Sequence, residues 1–175
     1  MSLHELERTL PAIRQYRAMQ RQTVNWDFIS AELGTMLPTD FMSLSEEYTP
    51  LVIGDFLALQ TPIPGRESSY VRGIRRLLGD LESLVGSGMA HGYVDHPNAG
   101  GLLPWGSSNE GDLFYWRTNV DSPDSWGIVV SGHNDDWNSF NGSLTDYLSG
   151  LVSGLVDPDG LSPDFPGPDP LVESY

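Results

Sequence analysis

Histidine and carboxylate close together in a chain are what a divalent metal or a proton-transfer site requires, and HGYVDH supplies both with His91, Asp95 and His96. The spacing fits no recurrent zinc pattern, and Gly92, Pro97 and Gly100 around it favour a loop with solvated histidines. Ser131, His133 and Asp135 carry the residue types of a serine triad. They are near neighbours in one loop, however, and no G-x-S-x-G elbow is present to expose the nucleophile. SSNEGD, residues 107–112, is an oxygen-rich turn without the alternating acids and terminal glutamate of a calcium loop. Asp135 and Asp136 point to opposite sides if their segment is extended, so they do not form a carboxylate pair. No phosphate-binding loop or dinucleotide fingerprint occurs. These residues give no coherent catalytic set and no metal set. The remaining enzymatic alternative is a metal-dependent one using His91, Asp95, His96 or His133.

Bulk properties narrow the classes further. With 175 residues, 39% of them hydrophobic and 19% charged, the chain fits one folded domain plus a tail. It contains no cysteine, which excludes disulfides, thiolate zinc sites and a cysteine nucleophile. No apolar run approaches the roughly 18 residues of a membrane span. MSLHELERTL lacks the basic-then-apolar order of a signal peptide, so a cytoplasmic location and no membrane partner are expected. The net charge is −15, and its distribution is uneven. All nine basic residues are arginine, and after residue 80 a single arginine, Arg117, stands against fourteen acids. Such a surface repels phosphate backbones, which argues against nucleic acid, and steers basic partners toward itself at low salt. The plainer reading is that the acids serve solubility.

The elements that would position these residues follow from periodicity and punctuation. Leu3, Leu6, Leu10, Ile13 and Tyr16 have helical spacing broken by Pro11, which predicts a helix restarted there with Thr9 as a cap. Asn25 caps a short helix ending at Gly34, and Pro38 opens another with Phe41, Met42, Leu44 and Tyr48 on its apolar face and Glu46 and Glu47 toward water. LVIGDFLAL, residues 51–59, reads as one strand with a bulge at Gly54. Val71 to Val85 form an amphipathic helix capped by Ser68 or Ser69 and stopped at Gly86 or Gly88. DLFYWRT and WGIVVSG pair as antiparallel strands across NVDSPDSW. A short strand or loop surrounds Trp137 and Phe140, and a helix capped near Ser143 follows. Residues 157–175 hold five prolines and should form no regular element, although Phe165 and Leu171 could pin the segment to the domain. One domain over 1–156 and a proline-rich acidic tail over 157–175 are thus expected.

In order along the chain, WDFISAELGTMLPTDFMSL, GDFLAL, LPWGSSNEGDLFYW, SPDSWGIVV and WNSFNGSLTDYLSGLVSG resemble the SUKH superfamily, which includes the Smi/Knr cell-wall-assembly regulators. The resemblance covers about residues 24–154, and Tyr48-Thr49 stands where that family often has Tyr-Gly. It implies an α+β domain with a mostly antiparallel, curved sheet flanked by helices, and no cofactor. It also implies a scaffold role for LPWGSSNEGDLFYWRT. Its bacterial members are commonly immunity proteins that neutralise a cognate toxin, often a nuclease, while others are regulatory or scaffold modules that bind host proteins. A basic toxin domain is therefore the expected partner. The acids available to meet it lie in loops beside the sheet: Glu110, Asp121, Asp124, Asp135 and Asp136, with Trp137 as an aromatic anchor. These six residues make one surface if their turns gather on one rim. The alternative face is that of Arg72, Arg75 and Arg76 on the long helix.

Overall fold

A computed structural model describes residues 3–175. Its centre is an open seven-stranded sheet in the order β6-β5-β4-β3-β2-β1-β7, antiparallel throughout. The strands are β1 (Leu51–Ile53), β2 (Leu57–Leu59), β3 (Leu102–Ser108), β4 (Leu113–Arg117), β5 (Gly127–Ser131), β6 (Trp137–Phe140) and β7 (Val172–Ser174). Five α-helices accompany it: α1 (Leu3–Thr9), α2 (Trp26–Leu33), α3 (Thr39–Glu47), α4 (Glu67–Gly86) and α5 (Leu144–Ser153). The α+β class expected from the sequence is the one observed.

Alternation along the strands divides the apolar residues between two faces. Phe114 and Trp116 of β4, with Trp105, Ile128 and Val130, join the main core against Leu6, Phe41, Leu44, Tyr147 and Leu148 of the helices. Tyr115 and Val129 point the other way and meet Leu102 and Leu81 of α4 in a smaller second core. This explains why both faces of DLFYWRT carry aromatics: each is covered by helix. Phe41 meets Trp116 edge-on with ring centroids 4.9 Å apart, which ties α3 to the centre of the sheet.

Several local expectations change in the folded chain. Thr9 closes α1 by bonding back to the Glu5 and Leu6 carbonyls, and Pro11–Tyr16 is a 3-10 turn with Leu10 at its cap position. Asn25 does cap α2, its side chain accepting from the Phe28 N–H at 3.1 Å, and Gly34 ends it with φ 74°. Glu46 and Glu47 are not simply solvated: Arg21 pairs with the first and Arg17 with the second, and the Trp26 indole donates to Glu46 at 2.7 Å. LVIGDFLAL is two strands, because Gly54 at φ 67° and Asp55 at φ 50° turn the chain instead of bulging it. α4 begins at Glu67, without a serine cap, and that carboxylate accepts from the Asn25 N–H at 3.1 Å.

The tail differs most. Val172–Ser174 pairs with Leu51–Ile53 and completes one edge of the sheet. Phe165 is buried on Phe56 with ring centroids 4.6 Å apart, whereas Leu171 is exposed and Val172 takes the buried place expected of it. Earlier in the tail, the Asp159 carbonyl accepts from the Asn138 side chain at 2.8 Å. A Cβ on Gly132 would stand 2.6 Å from the Gly160 carbonyl oxygen, so the close approach of the tail requires glycine there. Residues 157–175 therefore run across one end of the sheet, from the β6 side to β1.

Candidate functional site

Strand direction fixes where each loop lies. The β1–β2, β3–β4 and β5–β6 turns share one end of the sheet, since Leu57 pairs with Ser108 and Leu113 with Ser131. The β4–β5 connection, residues 118–126, lies at the other end, beyond the Arg117–Gly127 pair. The two ends are roughly 14 Å apart along β4. Glu110, Asp135 and Asp136 thus gather at the first end, and Asp121 and Asp124 sit at the second. The six expected partner-binding residues do not line a single rim.

The two sets of acids also have different surroundings. Asp124 accepts from the Thr39 N–H at 2.7 Å, at the start of α3. Asp40 accepts from the Thr145 N–H at 2.9 Å, at the start of α5, and Asp146 completes a capping box with Ser143. Helix N-termini carry unsatisfied N–H groups and a partial positive charge, so carboxylates belong there for structural reasons. Thr39, Asp40, Asp124, Trp126, Ser143 and Asp146 border a depression of about 450 Å³ between these two helix starts. Asp121 is exposed on the same connection, where Asn119 holds the turn by accepting from the Asp121 and Ser122 N–H groups.

At the first end one acid is structural. Asp112 is fully buried. One of its oxygens takes the Ser108 hydroxyl at 2.5 Å, and the other takes the His133 N–H at 2.9 Å and ring Nδ1 at 2.8 Å. The hydrogen bond to Asp112 raises the His133 pKa above its ordinary value, with further support from the charge of Asp112 and from Glu110 and Asp136. Glu110, Asp112 and His133 have ligand atoms within 4.8 Å of one another, the only such metal-capable group among the described residues. A cation there would have to displace the bonds that already use both Asp112 oxygens. Sequence groups His133 with Ser131 and Asp135; the folded chain pairs it with Asp112, at the same end of the neighbouring strands β4 and β5. The signal was the Ser-x-x-x-Asp turn facing a histidine loop, visible only once β4 and β5 are paired.

The other candidates separate. His91 reaches across to Asp135, Nε2 to Oδ1 3.0 Å. His96 bonds the Leu33 carbonyl at 2.8 Å, and Asp95 takes the Asn98 side chain. These three do not converge on a common point. Trp137 is half-buried, stacked between Tyr93 at 5.2 Å and Tyr115 at 6.4 Å, with His91 at 5.9 Å. Arg75 pairs with Glu32 at 2.8 Å, and all three arginines of that helix face, Arg72, Arg75 and Arg76, are exposed.

What remains at the first end is exposed and acidic: Asp55, Glu110, Asp135 and Asp136, with Asp157, Asp159 and Asp164 of the tail nearby. Compared with protein-family models, curated proteins and solved structures, the chain matches none. No helix among the described residues is long and apolar enough to cross a membrane.

Proposed function

We propose that this chain is a non-enzymatic protein-binding domain of the SUKH type, an immunity protein that neutralises a basic toxin domain by occlusion. The observation that carries the reading is the acidic end of the sheet. Exposed carboxylates from the β1–β2, β3–β4 and β5–β6 turns and from the tail stand together there without an arginine among them. A field of one sign accelerates encounter with a partner of the other sign and suppresses wrong partners. A toxin that handles nucleic acid presents such a cationic cleft. The Trp137 stack beside these acids supplies apolar area on a rigid base.

The test uses the products of the genes adjacent to this chain's own. Purified protein should bind one of them, and co-expression should suppress its lethality. Replacing Glu110, Asp135 and Asp136 by lysine should slow association at low salt and flatten its salt dependence. Stability should fall by no more than about 1 kcal/mol, most of it from the His91 contact and the φ of 66° at Asp135. A pulldown that returns only host regulatory or cell-wall proteins would turn the reading to the Smi/Knr kind of module. An association rate unchanged by the lysines would remove the acidic end from the interface.

A further inference from the structure

The sheet ends on two edge strands, β7 and β6. β7, three residues long and supplied by the tail, pairs with β1. At the other edge, β6 pairs only with β5. In an antiparallel ladder, facing pairs alternate between hydrogen-bonded and non-bonded. The Gly132 N–H bonds the Asp136 carbonyl at 2.7 Å. The Val130–Asn138 and Ile128–Phe140 pairs are then the next bonded ones, so the main-chain groups of Trp137 and Ser139 face outward. Among the described residues no other backbone group bonds to them. The tail touches β6 through the Asn138 side chain and does not pair with the strand.

A depression lies on each face beside this edge. On the main-core face, Phe140, Tyr147 and Val156 form an apolar floor of a space of about 200 Å³ bordered by Asp157 and Asp159. On the opposite face, Val129 and Ser139 floor a space of about 470 Å³. No acid borders that second space, and Arg117, the single basic residue after position 80, does. Successive side chains of a strand point to opposite faces, so a strand added to β6 would place alternate residues in the two spaces.

We infer that the β6 edge is a docking site for an extended segment of a protein partner, in which basic residues facing Asp157 and Asp159 alternate with neutral or acidic residues facing Arg117. Main-chain bonds to Trp137 and Ser139 hold the segment. The aliphatic stem of a lysine or arginine packs on Phe140 and Val156 while its charge reaches the two aspartates. A second copy of this chain is the wrong occupant on charge, since each copy carries −15 and each edge begins beside Asp135 and Asp136. The inference rests on the reading of this chain as a protein-binding domain, not on the partner's being a toxin.

The experiment titrates the isotope-labelled full chain with a capped peptide alternating lysine and threonine. The Trp137 and Ser139 amides should shift and exchange hydrogen more slowly. An alternating glutamate–threonine peptide should leave both unchanged, as should lysine–threonine peptides N-methylated on whichever alternate residues pair. Ser139→Pro removes one outward donor at an edge position that tolerates proline and should abolish the shift of the Trp137 amide without loss of fold, judged by near-ultraviolet circular dichroism. Equal binding of all N-methylated peptides, shifts centred on residues 118–126, or no shift at all would overturn the inference. So would protection of Trp137 and Ser139 that grows with protein concentration in the absence of peptide. If lysine substitution at the acidic end alters binding of a natural partner but Ser139→Pro does not, the protein-binding reading stands and the edge site falls. If neither alters it, the interface lies elsewhere, and the acidic end and the edge site both fall.

Discussion

The two ends of the β4–β5 strand pair carry the same residue type in opposite employment. At the end formed by residues 118–126, Asp124 and Asp40 accept from N–H groups at helix starts, the Thr39 N–H of α3 and the Thr145 N–H of α5. At the end formed by the β3–β4 and β5–β6 turns, Asp112 accepts the His133 N–H from a buried position, while Glu110, Asp135 and Asp136 are exposed, Asp135 with His91 as its contact. A carboxylate that accepts main-chain N–H groups contributes to the fold. One that does not is available to a partner. The difference lies in whether a helix start or an unpaired turn happens to face the side chain.

Asp112 gives the largest effect, because it is the structural exception at the exposed end. Asp112→Ala leaves the Ser108 hydroxyl and the His133 N–H without the buried carboxylate that accepts from them. The cost should be about 3 kcal/mol, a fall in melting temperature of roughly 6–12 °C for a domain of this size. Glu110→Ala, two residues away, should stay within about 0.5 kcal/mol. Calorimetry of the two variants checks the contrast, and equal losses would mean that the turn does not depend on the buried carboxylate.

At the other end the effects are intermediate. Asp40→Ala removes the acceptor for the Thr145 N–H and should cost about 1–2 kcal/mol, and Asp124→Ala about 1 kcal/mol. Asp135→Asn keeps a residue suited to the φ of 66° there and weakens only an exposed contact with His91, in the range of about 0–1 kcal/mol. Denaturant unfolding of the three variants ranks them. If Asp135→Asn proves as damaging as Asp124→Ala, the division between capping and available acids fails.

Much of the architecture was legible because local signals and long-range packing agree. The Asn25 cap, the Gly34 stop, the α4 stripe and the helix cap at Ser143 all lie where periodicity and punctuation place them. β7 was not legible, since Pro-rich sequence argues against a strand and its partner β1 lies more than a hundred residues earlier. The candidate site was half legible. Acids in turns could be named from sequence, but which turns share an end depends on strand direction, and which acids are engaged depends on helix starts that arrive from elsewhere. Asp124 was read as available because the Thr39 N–H it meets is 85 positions away.

The smallest expected effect sharpens the comparison through pH. His133 is partly exposed and donates to Asp112, and that bond, more than the neighbouring charges, raises its pKa above the ordinary value of about 6.5. A group whose pKa is raised by folding binds its proton more tightly in the folded state. Its contribution is fully present below the ordinary pKa and is lost as pH rises through the raised one. The difference in melting temperature between the native chain and His133→Gln should therefore be larger near pH 5.5 than near pH 8.5, with the change in between. The imidazole resonances should titrate above the ordinary histidine value. In Asp112→Asn the hydrogen bond loses its charged acceptor, so the midpoint should return toward that value even if the turn keeps its shape. A midpoint unmoved by Asp112→Asn would assign the shift to Glu110 and Asp136, and with it make the acidic field at this end, and not the buried pair, the stronger influence on any cationic group that approaches.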